Sequence, residues 1–192
     1  MHWGCCKIAT FSREALQQVY DDLTPSRKER IDRLRKQADQ QRSLAAEKLV
    51  YQVLQEQFGI TNAKLHCREN GSPYLSGCEL YVSISHSEEM VACAIGSSPV
   101  GIDIERVRPI NLNICRHVCL PEEMAYLNPA PQDPAEPLCQ DMQTLLRFYE
   151  IWTAKEAYYK RQGTGITDLK KVNILNLPRQ GWELDGYYLQ IV

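Results

Sequence analysis

The stretch Val100-Gly101-Ile102-Asp103-Ile104-Glu105 constrains the chain more than any other. Its β-branched apolar residues, entered through Pro99 and left through Arg106 and Pro109, predict a short buried strand. Strand side chains alternate, so Asp103 and Glu105 share one face while Ile102 and Ile104 share the other. Carboxylates are rare in strands, and two on one face repel each other unless a positive charge sits between them. A hard divalent cation such as Mg²⁺ suits oxygen ligands on a rigid strand. The alternative is the solvated face of an edge strand.

A chain of 192 residues can bury one good-sized core or two small subdomains packed together. Its net charge of −2 argues against bulk nucleic-acid binding, which takes a strongly basic domain. The positive charge is uneven, however: Arg27, Lys28, Arg30, Arg33, Arg35, Lys36 and Arg42 form a basic block, read first as a solvated helix face. Met1 to Thr10 has no apolar signal-peptide core, and no run is long enough to span a membrane, so a cytoplasmic protein is expected. The 8 cysteines are then reduced. No Cys-x-x-Cys pair exists, and Cys115, His117 and Cys119 lack a second ligand pair for zinc, which leaves the cysteines as small apolar fillers.

Residues 3–10 predict a first strand. Thr24-Pro25 predicts a helix start, and a second helix carries Leu44, Ala45, Leu49, Val53, Leu54 and Phe58 up to Gly59. Ser43 near the start of that helix would offer a hydroxyl and unspent backbone N–H groups to an anion, with Arg42 beside it. Asn70-Gly71-Ser72-Pro73 is a turn, followed by strands over Leu80–Ser85 and Val91–Ile95. His86, between Ser85 and Ser87, could bind phosphate or serve as acid or base; a hydrogen-bonded structural histidine is the plainer reading. Residues 110–127 look partly helical, and Asn128 to Pro137 is a candidate mobile loop. From Asp141 a helical stripe carries Leu145, Phe148, Tyr149, Trp152, Glu156 and Tyr159. Glu156 on that apolar side needs a cation, either Lys160 one turn on or a metal. Gly163 and Gly165 close the helix, and strands are expected near Val172–Leu175 and Tyr187–Val192.

Gly101-Ile102-Asp103-Ile104-Glu105 and Trp152-Thr153-Ala154-Lys155-Glu156-Ala157-Tyr158-Tyr159-Lys160 together resemble the two signature motifs of the 4′-phosphopantetheinyl transferases. Ser83-Ile84-Ser85-His86-Ser87 is similar to a third motif, and Gly71-Ser72-Pro73 lies where a phosphate-contacting turn is expected. The resemblance implies the longer, monomeric, surfactin-synthetase-activating type: an α+β fold of two similar subdomains, residues 1–99 and 100–192, packed as an intramolecular pseudo-dimer. It implies transfer of the phosphopantetheine arm of coenzyme A to a serine of an acyl or peptidyl carrier protein, with release of adenosine 3′,5′-bisphosphate.

By the same resemblance Asp103, Glu105 and Glu156 hold Mg²⁺ or Mn²⁺, and Lys160 and Lys155 stabilise phosphate charge. Glu123 matches the general base that a weak serine nucleophile needs. His86, with Ser85, Arg42, Ser43, Gly71, Ser72 and Pro73, would contact coenzyme A. Two departures stand out. Many relatives carry a basic residue where this chain has Ser72, and longer relatives continue past the last strand. Rival readings are an inactive relative that binds carrier protein or coenzyme A, a Mg²⁺-dependent phosphodiesterase or nuclease, and a nucleic-acid adaptor using the basic block. The nuclease reading lacks its usual acidic residue two before a lysine on the strand, since Glu105 is followed by Arg106 and Val107. The expected partners are therefore a carrier protein and coenzyme A, with no nucleic acid or membrane.

Overall fold

The structure, a computed structural model, describes residues 1–127 and 138–192. The stretch 128–137, expected as a loop, lies outside the described residues. The chain divides into two compact units, Met1–Gly101 and Ile102–Val192. Each combines helices with antiparallel sheet, so the fold is α+β.

The first unit runs β1 (His2–Lys7), α1 (Arg13–Asp21), α2 (Pro25–Asp32), α3 (Gln37–Phe58), β2 (Lys64–Cys67), β3 (Pro73–Ser76), β4 (Tyr81–Ser87) and β5 (Met90–Gly96). Strands β1, β5 and β4 form a sheet in that order, while β2 and β3 pair as a separate hairpin. Ala45, Leu49, Val50, Val53 and Leu54 recur at helical spacing, so α3 buries that stripe against Val91, Cys93 and Ile95 of β5 and Val82 of β4. Gly4 on β1 permits the close approach: a Cβ there would stand 3.0 Å from Val53 Cγ2 and 3.1 Å from Leu49 Cδ1. Gly59, at φ +67, closes α3 in the left-handed conformation.

Two expectations for this unit need correction. The first strand stops at Lys7, and Ile8–Thr10 turns into a 3-10 segment. Helix α3 begins at Gln37, six residues ahead of Ser43, because Ala38 and the glutamines at 37, 40 and 41 are good helix formers and Asp39 suits the first turn, though none of them adds to an apolar stripe. Ser43 is thus in the helix interior, where its N–H is spent on the helical ladder, and the anion site at a helix start does not exist there.

The second unit runs β6 (Ile102–Arg106), β7 (Ile110–Asn111), α4 (Cys115–Val118), α5 (Pro121–Leu127), β8 (Leu138–Cys139), α6 (Met142–Gln162), β9 (Gln180–Leu184) and β10 (Tyr187–Ile191). Strands β6, β10 and β9 form an antiparallel sheet in that order, and β7 pairs with β8. Helix α6 is capped by Asp141, whose carboxylate accepts the Thr144 N–H at 2.8 Å, and ends at Gly163 with φ +65. It packs on β6 and β10. The strand expected near Val172–Leu175 is not one. Asn173 accepts the Leu175 N–H and winds Ile174–Asn176 into a 3-10 turn, and the strand comes later, at β9.

Candidate active site

In the second unit, antiparallel pairing sets Gln190 directly opposite Asp103 and Tyr188 directly opposite Glu105. These side chains share one face of the sheet, and Ile102, Ile104, Leu189 and Ile191 take the other. The polar face is the one that meets α6: Tyr188 packs against the cluster holding Phe148, Tyr149 and Ile151, and Lys160 reaches back to Asp103. Although β6 is an edge strand of this sheet, Asp103 is 1% exposed, so the solvated-face alternative does not hold.

Lys160 Nζ donates to Asp103 Oδ1 at 2.6 Å, so the ammonium bridges helix to sheet rather than pairing with Glu156 one turn away. Glu156 is half-buried. Burial first, and then the charge of Asp103, lift its carboxyl to about 7; Lys160 opposes the shift and Glu105 adds to it. Three carboxylates therefore feel one another across the helix–sheet contact. Among the described residues no three His, Cys, Asp or Glu side chains converge closely enough to form a metal cage. The triad is thus a set of mutually repelling neighbours. Its all-oxygen donor chemistry and the unpartnered buried amide of Gln190 beside it fit a hard divalent cation.

Lys155 and Glu123 are placed otherwise than expected. Both side chains are 0% exposed and pair at 2.6 Å. Lys155 Nζ also donates to Val118 O and Leu169 O, each at 2.8 Å. Glu123 Oε2 accepts the Leu120 N–H at 2.8 Å, and its Oε1 accepts the Ile174 N–H at 2.9 Å. A lysine with that many buried acceptors does not present its charge to a substrate phosphate. A carboxylate already accepting on both oxygens, sealed from solvent, is poorly disposed to take a proton from a serine. The physical reason is α5's first turn, which turns Glu123 inward and leaves Glu122 exposed.

In the first unit, His86 lies exposed near the end of β4, opposite Val91. Ser85 is on the opposite face of that strand and is buried, so the two side chains do not form one contact pair. Arg42 comes to the adjoining hairpin turn: its Nε donates to Glu88 O at 2.7 Å and its Nη1 to Asp39. Gly71 has φ +86, a left-handed turn position that favours glycine, and Asn70 Oδ1 accepts from Ser72 N and Oγ at 3.0 and 2.8 Å.

Sequence reasoning missed or misplaced three residues. Arg30, on α2, brings Nη2 within 3.3 Å of where a Cβ on Gly71 would stand. A guanidinium thus lies at the turn even though Ser72 is uncharged. The signal was available, since Arg30 belongs to the basic block, but nothing local ties it to a turn forty residues away. Arg27 of the same block, read as a solvated charge, is instead buried, its Nε and Nη2 donating to Glu47 Oε2 at 3.1 and 2.9 Å. Gln190, in the second unit, carried no signal at all.

The model of the 4′-phosphopantetheinyl transferase superfamily matches residues 99–190, which spans the sheet and helix just described. The chain belongs to that superfamily. It is 35% identical to 4′-phosphopantetheinyl transferase gsp of Aneurinibacillus migulanus over 67% of this chain and 51% of that protein. It is 28% identical to 4′-phosphopantetheinyl transferase Sfp of Bacillus subtilis strain 168 over 86% of this chain and 71% of that protein. A third relative, 4′-phosphopantetheinyl transferase HetI of a Nostoc species, is 30% identical over 53% of this chain and 40% of its own length. The chain therefore spans about half the length of the first relative and more of the second. Among the described residues no helix is long and apolar enough to cross a membrane.

Proposed function

We propose that this chain transfers the 4′-phosphopantetheine arm of coenzyme A to a serine hydroxyl of an acyl or peptidyl carrier protein. The serine hydroxyl gives up its proton to water as its oxygen forms a new bond to the phosphorus that carries the pantetheine arm, and the phosphoanhydride bond breaks. Its electron pair leaves with adenosine 3′,5′-bisphosphate. The observation that carries this reading is the Asp103, Glu105 and Glu156 cluster with Lys160 bound to it, in a chain matched by the superfamily model. A divalent cation, Mg²⁺ or Mn²⁺, held by those three carboxylates would supply charge neutralisation at the pyrophosphate. Lys160 orients Asp103 and adds a positive charge on that side. Glu123 and Lys155, given their burial, brace this arrangement rather than touch substrate. This reading carries with it a cytoplasmic, monomeric enzyme with no nucleic-acid or membrane partner.

Arg30 supports an anion site at the Gly71 turn, where it supplies the charge that Ser72 lacks. With His86 and Arg42 it would hold a phosphate of coenzyme A. Arg30→Ala is expected to raise the KM for coenzyme A roughly tenfold, the effect of losing one charge-assisted hydrogen bond. The maximal rate should hold, and an unchanged KM would move the phosphate elsewhere.

The deciding experiment is intact-mass spectrometry of an apo carrier protein incubated with this chain, coenzyme A and Mg²⁺. One added phosphopantetheine arm, about 340 Da as a phosphate-linked modification, lost on chelation, is the expected result. Coenzyme A binding without mass gain on several carriers would favour the binding-only relative. Neither binding nor mass gain would sink the transferase reading.

A further inference from the structure

Gln190 is 1% exposed, and among the described residues neither its Nε2 nor its Oε1 has a hydrogen-bond partner. A buried primary amide in that state is costly, and leucine or methionine would fill the same space without the cost. Packing alone does not explain a glutamine here.

Its surroundings say what it faces. Gln190 stands directly across the strand pair from Asp103, where opposed Cβ atoms are about 4.5–5.5 Å apart. A glutamine reaches across that gap by a change of rotamer alone. On its other side is Gly181 of β9, the residue paired with it in register. A Cβ on Gly181 would stand 2.7 Å from Gln190 Oε1 and 2.7 Å from Tyr188 Oη. The missing side chain at 181 thus reserves the room in which amide and phenol lie over the backbone, on the face that carries the carboxylates.

We propose that Gln190 is a positioning residue for the divalent cation: when the ion binds, its amide turns from Gly181 to donate to the Asp103 carboxylate and, together with Lys160, keeps that carboxylate in the orientation that ligates the ion. An amide suits this task because it donates a hydrogen bond without adding charge to a site where three carboxylates already repel. This inference rests on the metal-dependent reading given above and deepens it.

The test is Mn²⁺ titration of the full chain without coenzyme A, followed by electron paramagnetic resonance, for wild type, Gln190→Met and Gln190→Leu. Both variants remove an unpartnered amide, so both are expected to fold with unfolding midpoints equal to or above wild type. The variants should bind Mn²⁺ at least fivefold more weakly, and the Mg²⁺ concentration for half-maximal transfer should rise by a similar factor. The rate at saturating Mg²⁺ and the KM for coenzyme A should stay within twofold. Unchanged Mn²⁺ affinity in both variants overturns the proposal and leaves Gln190 as a packing residue or the host of a buried water. A wild type that binds no Mn²⁺ defeats the metal reading itself, and this inference with it. The wild-type and variant arms therefore separate the two failures.

Discussion

Replacing Asp103 with alanine is expected to lower transfer at least a thousandfold while the chain still folds. The size follows from where that carboxylate sits: it is the buried member of the cluster and the acceptor for Lys160, so its loss would take away a proposed cation ligand and release the ammonium together. The fold should survive because Lys160 is 29% exposed and its freed charge can reach water. Glu156→Ala should fall as far, through loss of the helix-borne carboxylate. The measurements are initial rates by intact mass and the unfolding midpoint of each variant. Substantial Mg²⁺-dependent transfer by Asp103→Ala at a normal midpoint would take the cluster out of the reaction.

The second large effect is on stability. Glu123→Ala strands the Lys155 ammonium where both side chains are 0% exposed, and it takes the acceptor from the Leu120 and Ile174 N–H groups. Breaking a buried pair from one side costs about 3–5 kcal/mol, a large part of the 5–15 kcal/mol that typically holds a domain. Denaturant unfolding should show the loss, with an altered slope if the second unit unfolds alone. Glu123→Gln separates the two roles proposed for this residue. It keeps an acceptor but loses the charge, so a bracing residue predicts reduced stability with near-normal turnover in the folded fraction. A general base predicts the reverse, a slow chemical step in a stable protein, and that outcome would restore Glu123 to the reaction.

How far these features could be read from the chain depends on how local their causes are. The strand at 102–106 was legible because β-branched residues alternate with two carboxylates, and α6 because Asp141, the apolar stripe and Gly163 mark its ends and face. Helix α1 went unread: its run from Arg13 is mostly polar, though Ser12, which accepts the Ala15 N–H, marks its start. The early start of α3 was hidden likewise, and with it the true place of Ser43. The inward turn of Glu123 was beyond local reasoning, since its partners come from residues 155 and 174. Strand periodicity by itself puts Ser85 and His86 on opposite faces of β4, as consecutive strand residues cannot face the same way.

Lys155 and Glu156 are adjacent on α6, about 100° apart around its axis. The buried tie of Lys155 to Val118, Leu169 and Glu123 therefore works as a key in a slot, fixing the rotational setting of the helix. With side-chain tips about 5–6 Å from the axis, a 20° roll would carry the Glu156 carboxylate about 2 Å sideways. The turns at 118–123 and 169–174 thus govern how a carboxylate they never touch is aimed.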